Sequence, residues 1–190
     1  LPTTPLLCLA TPLGTITIAL HARQAPKTVA HILTLVETGA FANAHFYRAT
    51  QPDPAASPPV TISVIQGGLG WLACDALPCV AHEPTCETGL SHIDGAVSIG
   101  RWADRGATSE IFICLGDQPT LDAKPLPDPA NPFASGFAVF GQVVDGMSVV
   151  HAIHAAPREG TPPAGHARFD GQFLTRPVPF HAETASPVGE

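Results

Sequence analysis

Cations are scarce in this chain: Lys and Arg together number 9 among 190 residues, against 16 Asp and Glu. One of them, Arg48, lies in the run AHFYRAT (44–50), among small and aromatic residues. Alternation along an extended strand aims Phe46 and Arg48 at one face. A guanidinium stays charged at working pH and offers a planar fork of donors, so over an apolar pocket it can stabilise developing charge. On an ordinary half-buried sheet the same residue is a surface cation, and AHFYRAT alone does not separate the two readings. A second group, Cys74, Cys79 and Cys86, lies in the loop-like segment CDALPCVAHEPTC. A disulfide among these three suits an oxidising space. A zinc site that adds His82 matches no standard ligand spacing, and no metal is expected. Cys8 and Cys114 sit in the apolar runs LLCLA and IFICL and read as inert core thiols.

Several phosphate and metal chemistries are missing from the sequence. It has no P-loop, no GxGxxG opening a helix and no HExxH; VIQGGLG lacks the lysine and following helix of a phosphate loop. No cofactor is expected. A formal net charge of −7 with no basic run argues against a nucleic-acid partner. No apolar stretch approaches the roughly 18 residues that would cross a bilayer, so no membrane association is expected. With 45% hydrophobic and 13% charged residues, the chain reads as one globular domain.

The elements that position these residues are mostly strands. In TPLGTITIALH, Ile16, Ile18 and Leu20 alternate with Thr15, Thr17 and Ala19. APKTVAHILTLVETGAF predicts a helix that starts at Pro26 and stops at Gly39, with Val29, Ile32, Leu33 and Val36 on its apolar face. AHFYRAT, VTISVIQGG, GAVSIGR, SEIFICLG, GFAVFGQVV and QFLTRPVPFHA read as further strands; Pro177 and Pro179 confine the last to an edge or closure position. DGMSVVHAIHAA predicts a second helix capped by Asp145. The Pro-rich segments QPDPAASPP and GDQPTLDAKPLPDPANPFASG read as irregular excursions, and residues 185–190 as a disordered tail. Many short strands with one early and one late helix favour a closed antiparallel barrel with helices covering its ends.

Four segments in fixed order, FYRA (46–49), VIQGG (64–68), GAVSIGR…ATSEIFI (95–113) and FAVFGQVVDGM (137–147), resemble the cyclophilins, the peptidyl-prolyl cis-trans isomerases. HEPTCETGLSHIDGAVSIGR is similar to the bacterial branch, and the resemblance runs from about residue 12 to 156. It implies a mainly β fold: a closed eight-stranded antiparallel barrel capped by two α-helices, forming a single domain over residues 1–184. It also implies an isomerase that accelerates rotation about X–Pro bonds in polypeptides and assists folding, acting as a monomer on Pro-containing substrates. A catalytically weak module that binds Pro-containing peptides is the alternative. The chain begins with Leu, which fits a removed export signal as well as a trimmed end; an exported, bacterial periplasmic setting is expected.

By the same resemblance, Arg48 takes the place of the catalytic arginine. Val64 and Gln66 supply an apolar contact and an amide that holds the peptide and the arginine. Ser63 stands where an aromatic is usual, which opens the substrate groove on that side. Gly100, Arg101 and Trp102 align with the segment whose backbone pairs with bound peptide. Phe112, Leu121 and Phe137 align with apolar groove walls, and Thr120 replaces a rim aromatic, so weak cyclosporin binding is expected. Glu110 replaces a Gln. Its carboxylate can only accept hydrogen bonds, so it is expected to pair with Arg48 or to compete with substrate for it. The expectation is an enzyme slower than its relatives, in which Glu110→Gln leaves activity equal or raised.

Overall fold

The computed structural model describes residues 4–71, 77–103, 106–126, 128 and 130–185. The first strands form a hairpin, β1 (Leu6–Thr11) and β2 (Gly14–Leu20), in register from Thr11↔Gly14 to Leu6↔Ala19. Pro12 and Leu13 make its two-residue turn, so TPLGTITIALH holds the end of one strand and the whole of the next. LLCLA is the body of β1. Its alternation buries Leu7 and Leu9 and leaves Cys8 half-buried on the other face, so Cys8 is not a core thiol. Cys114 is one: fully buried, with burial pushing its thiol up to about 12.

Helix α1 (Pro26–Glu37) starts and stops where the sequence predicts, with Pro26 in its first turn and Gly39 left-handed at φ 72° beyond its end. Its buried face is Thr28, Val29, Ile32 and Leu35; Leu33 and Val36 lie at the edge of that face. No side chain of its own caps the helix. Glu83 does so from the loop of the HEPT motif, accepting the backbone N–H of Lys27 at 3.1 Å and of Thr28 at 2.8 Å, and the Thr28 hydroxyl at 2.7 Å. The next strands are β3 (His45–Thr50) and β4 (Val64–Gly68), followed by a single helical turn, α2 (Thr85–Thr88), which the sequence did not signal. Then come β5 (Ala96–Trp102), β6 (Gly106–Cys114), β7 (Ala138–Asp145) and helix α3 (Met147–His154).

Asp145 does not cap α3. It ends β7 and accepts the Gly146 N–H, while Gly146 holds the cap position at φ 89°. A Cβ on Gly146 would sit 2.2 Å from the Thr15 carbonyl oxygen, so only glycine fits this corner.

The sequence reading places one strand over QFLTRPVPFHA, and the structure divides it at Phe180 into β8 (Phe173–Pro179) and β9 (His181–Ala185). All pairings are antiparallel, in the order β8-β3-β4-β6-β5-β7-β2-β1-β9. Because β8 pairs with β3 and β9 with β1, this one bent segment joins the two ends of the sheet. Nine named strands thereby make a nearly closed barrel of eight, with both edges covered by consecutive stretches of chain. Ala185 pairs with Leu6, so the strand runs into the expected tail; residues 186–190 lie outside the described residues.

The barrel is filled by side chains from alternate positions, among them Ile16, Ile18, Phe46, Ile65, Ile113 and Phe140, each fully buried. A filled interior leaves the outer surface as the place for a ligand. A second, smaller apolar cluster lies there, formed by Val64, Ala96, Phe112, Leu121 and Val139.

Candidate active site

The site is set by an irregularity in β3. Across from β4, Phe46 faces Gly67 and Arg48 faces Gln66, so Tyr47 is an extra residue in the ladder. Such a bulge shifts the phase of a strand. Phe46 therefore points into the barrel and packs on Phe180 at 4.9 Å between ring centroids, while Arg48 lines a cavity outside it. Phe46 and Arg48 do not share a face, and the extra residue is the reason. Tyr47 joins an outer aromatic group with Trp71 and Phe173.

Arg48 is held from two sides. Its Nη1 donates to Gln66 Oε1 at 2.6 Å; its Nε and Nη2 both donate to Gln172 Oε1, at 2.9 and 2.6 Å. The ring of Phe169 lies against the guanidinium, 4.8 Å from its carbon, a cation–π contact. Burial, with a smaller push from Arg168, lowers the guanidinium to about 10, which leaves it charged at neutral pH. Among the described residues, three of its five N–H donors are engaged, leaving two for a ligand.

Beside Arg48 opens an apolar cavity of about 260 Å³. Val64 and Gln66 reach it from β4 at period-two spacing, with Ile62 from the residues just before the strand, and Phe112, Leu121 and Phe137 wall it. Phe137 meets Phe112 edge-on at 5.4 Å, and Phe133 stacks on Phe137 at 5.8 Å. Behind Phe112 lies the His92 ring, nearly parallel at 5.8 Å. His92 is fixed in turn by Asp122 Oδ1 at 2.6 Å and the Ser98 hydroxyl at 3.1 Å. Burial lowers its pKa against the pull of Asp122. The aromatic wall is thus braced from behind.

Gly100, Arg101 and Trp102 form the opposite rim. Strand β5 pairs with β7 only as far as Ile99↔Ala138, so these three residues run past the end of that pairing. The Arg101 side chain holds the loop before β7: Nε donates to the Gly136 carbonyl and Nη2 to Ser135 Oγ, both at 2.8 Å. An apolar cavity, a charged fork of donors at its edge and a strand end that outruns its pairing beside it suit an extended peptide carrying a compact apolar ring.

The comparisons agree. The family model described as cyclophilin type peptidyl-prolyl cis-trans isomerase/CLD matches residues 6–168. This chain belongs to the cyclophilin family. It is 28% identical over 159 residues to peptidyl-prolyl cis-trans isomerase A of Dickeya dadantii, covering 82% of this chain and 74% of that one. It is 30% identical over 149 residues to the cyp18 isomerase of Streptomyces antibioticus, covering 76% and 80% respectively. Its fold is similar to a Cryptosporidium parvum cyclophilin, with a TM-score of 0.65 at 16% identity over 99% of both chains.

Two features of this cyclophilin correct the expectations from its sequence. Ser63 does not line the cavity. It lies one residue out of phase with Ile62 and Val64, and its hydroxyl meets His154 Nε2 at 3.2 Å. Glu110 does line the cavity, on the face of β6 that carries Phe112, yet it does not pair with Arg48. The carboxylate is buried and taken up by other donors: the Tyr47 hydroxyl, the Gly70 N–H at 3.0 Å and Ser109 Oγ at 3.2 Å. Thr120 is exposed and outside the cavity lining. As for the cysteines, Cys86 is a free thiol and takes no part in a disulfide, while Cys74 lies outside the described residues. His82 bonds the Ser135 carbonyl at 3.0 Å.

Sequence reasoning missed Gln172 and the turn before it. The turn carries His166, Arg168 and Phe169 over the groove, with Phe169 and His166 packed edge-on against Trp71 at 4.9 and 5.0 Å. HARFDGQ has no helical or strand period and lies beyond residue 156, where the recognisable motifs end. Its one readable signal is Gln172, placed directly before the apolar run of β8.

Proposed function

We propose that this chain accelerates rotation about X–Pro bonds in polypeptides, with Arg48 as its electrostatic element. The barrier to that rotation, about 18–20 kcal/mol, comes from conjugation between nitrogen and carbonyl. Lowering it requires no nucleophile, only tighter binding of the twisted amide than of either planar isomer. The observation that carries the reading is the placement of Arg48, pinned by two amide oxygens with donors to spare at the mouth of an apolar cavity.

In this reading the proline ring enters the cavity against Phe112, between Val64, Leu121 and Phe137. The preceding peptide extends along Gly100–Trp102 as an added strand. Held this way, the amide is free to rotate on one side only. The unengaged N–H groups of Arg48 meet the amide nitrogen as it pyramidalises or the carbonyl as it turns, and a preorganised charge needs no reorganisation at that moment. Proline isomerisation measured on a short X–Pro peptide tests the reading, with Arg48→Ala as control. Faster exchange with wild type, lost in the variant, supports it. Peptide binding without faster exchange would instead make the chain a binding module.

The same reading extends to Pro-containing folding clients, to a monomeric state, to an exported bacterial compartment and to weak cyclosporin binding. Sedimentation, cell fractionation and calorimetry respectively test the last three.

A further inference from the structure

We propose that Glu110 is a positioning residue: acting through Tyr47, it fixes which end of the Gln66 amide faces Arg48. Four side chains form one directed chain. Arg48 Nη1 donates to Gln66 Oε1 at 2.6 Å, Gln66 Nε2 donates to the Tyr47 oxygen at 3.2 Å, and the Tyr47 hydroxyl donates to Glu110 Oε2. The direction is dictated by its ends. An arginine can only donate and an ionised carboxylate can only accept, so every proton along the chain points from Arg48 toward Glu110. An inverted Gln66 amide would set its NH₂ against the guanidinium, donor to donor.

The other oxygen of Glu110 anchors the chain. Oε1 accepts the Gly70 N–H at 3.0 Å and Ser109 Oγ at 3.2 Å, with a further backbone hydrogen bond from Leu69 to the carboxylate. A Gln at this position would turn its oxygen to those donors and its NH₂ to Tyr47. The phenol then gives its proton toward Gln66, whose amide inverts and repels Arg48. The carboxylate is thus matched to its surroundings, and the expectation that Glu110→Gln leaves activity equal or raised is reversed.

Protonation has the same consequence as the amide. Burial, opposed by the bonds from Tyr47, Gly70, Ser109 and Leu69, holds the Glu110 carboxyl above its ordinary range. As pH falls through that raised value, the new O–H turns the end of the chain into a donor and Arg48 loses its orientation. Other titratable or charged groups around this region are Tyr47, Arg48 and His45 on β3, and His31, whose ring bonds the Thr108 carbonyl. Arg101 on β5, and His166 and Arg168 on the turn over the groove, complete the set. Comparing wild type with Glu110→Gln separates the carboxyl from all of these, because they are common to both.

The inference rests on the isomerase reading, and the experiment distinguishes the two. Steady-state isomerisation is measured across acid and neutral pH for wild type, Glu110→Gln, Tyr47→Phe and the double variant, with Arg48→Ala alongside. At neutral pH Glu110→Gln and Tyr47→Phe are each expected to lose about tenfold in kcat, with KM nearly unchanged. The double variant should be no worse than either single one, and the acid limb of wild type should be absent from Glu110→Gln. If Glu110→Gln does not fold, Tyr47→Phe carries the same kcat and KM test. Wild type active, Arg48→Ala inactive and Glu110→Gln at least as active as wild type overturns this proposal alone. Arg48→Ala as active as wild type overturns the isomerase reading beneath it.

Discussion

Replacing Gln172 by Ala removes the oxygen that takes two of Arg48's N–H donors, at 2.9 and 2.6 Å. Hydrogen bonds to a charged group contribute about 1.5–3 kcal/mol each. Arg48 is half-buried rather than sealed, so water recovers part of that loss. Gln66 still holds Nη1 at 2.6 Å, so the guanidinium loosens without leaving the groove. The low end of the range applies: about 1.5 kcal/mol, or roughly tenfold in kcat/KM. Gln172→Glu makes a sharper variant. Its carboxylate binds the guanidinium more tightly but cancels the charge that the rotating amide needs, so activity falls while thermal stability holds or rises. Exchange spectroscopy on an X–Pro peptide reads both variants directly. Gln172→Ala within about twofold of wild type, less than about 0.5 kcal/mol, would show that Gln172 does not orient Arg48. A Gln172→Glu variant more active than wild type would refute the electrostatic role itself.

Other consequences can be checked separately. Glu83 caps α1 from a distant loop through three hydrogen bonds. Glu83→Ala leaves the buried Thr28 N–H and hydroxyl unpaired and should cost about 2–4 kcal/mol, lowering Tm by about 4–16 °C in thermal unfolding. Glu83→Gln keeps one accepting oxygen and should lose about half as much; equal stability of all three proteins would deny the cap. Cyclosporin should bind weakly, since Thr120 stands exposed and outside the cavity lining. A dissociation constant below about 1 μM by calorimetry, tighter than about −8 kcal/mol, would contradict this.

Much of the fold was legible because local pattern and tertiary role coincide. Ile16, Ile18 and Leu20 alternate in sequence and are buried together, and Pro26 and Gly39 bracket α1 as their backbone preferences require. The groove walls Val64, Phe112 and Phe137 lie in segments that carry the family resemblance, Leu121 lies in the Pro-rich stretch between two of them, and the structure brings all four to one cavity. The errors share a different cause. Nothing in AHFYRAT marks Tyr47 as an extra residue, because a bulge is defined by the strand opposite. Reading Phe46 and Arg48 as one face was therefore unavoidable from alternation alone. Position in a motif places Ser63 in the groove, but it sits just before β4, between the cavity-lining Ile62 and Val64, and its hydroxyl meets His154. Gln172 and Phe169 meet Arg48 across more than a hundred residues, from an irregular turn with no period to read. Glu110 was visible as a departure, but its partner was not: the donors at Tyr47 and Gly70 reach it only after β3, β4 and β6 align.

The central claim is that a charged, oriented Arg48 at the edge of the apolar cavity lowers the barrier to X–Pro rotation. The most direct test is the isomerisation rate of one X–Pro peptide with wild type and with Arg48→Ala at matched concentrations, after both are shown to be folded. Loss of a preorganised donor of this kind predicts a drop of about 10²–10³ in kcat, with peptide binding largely retained by the cavity. An Arg48→Ala protein that turns over the peptide within about threefold of wild type, a difference below about 0.7 kcal/mol, would contradict the account.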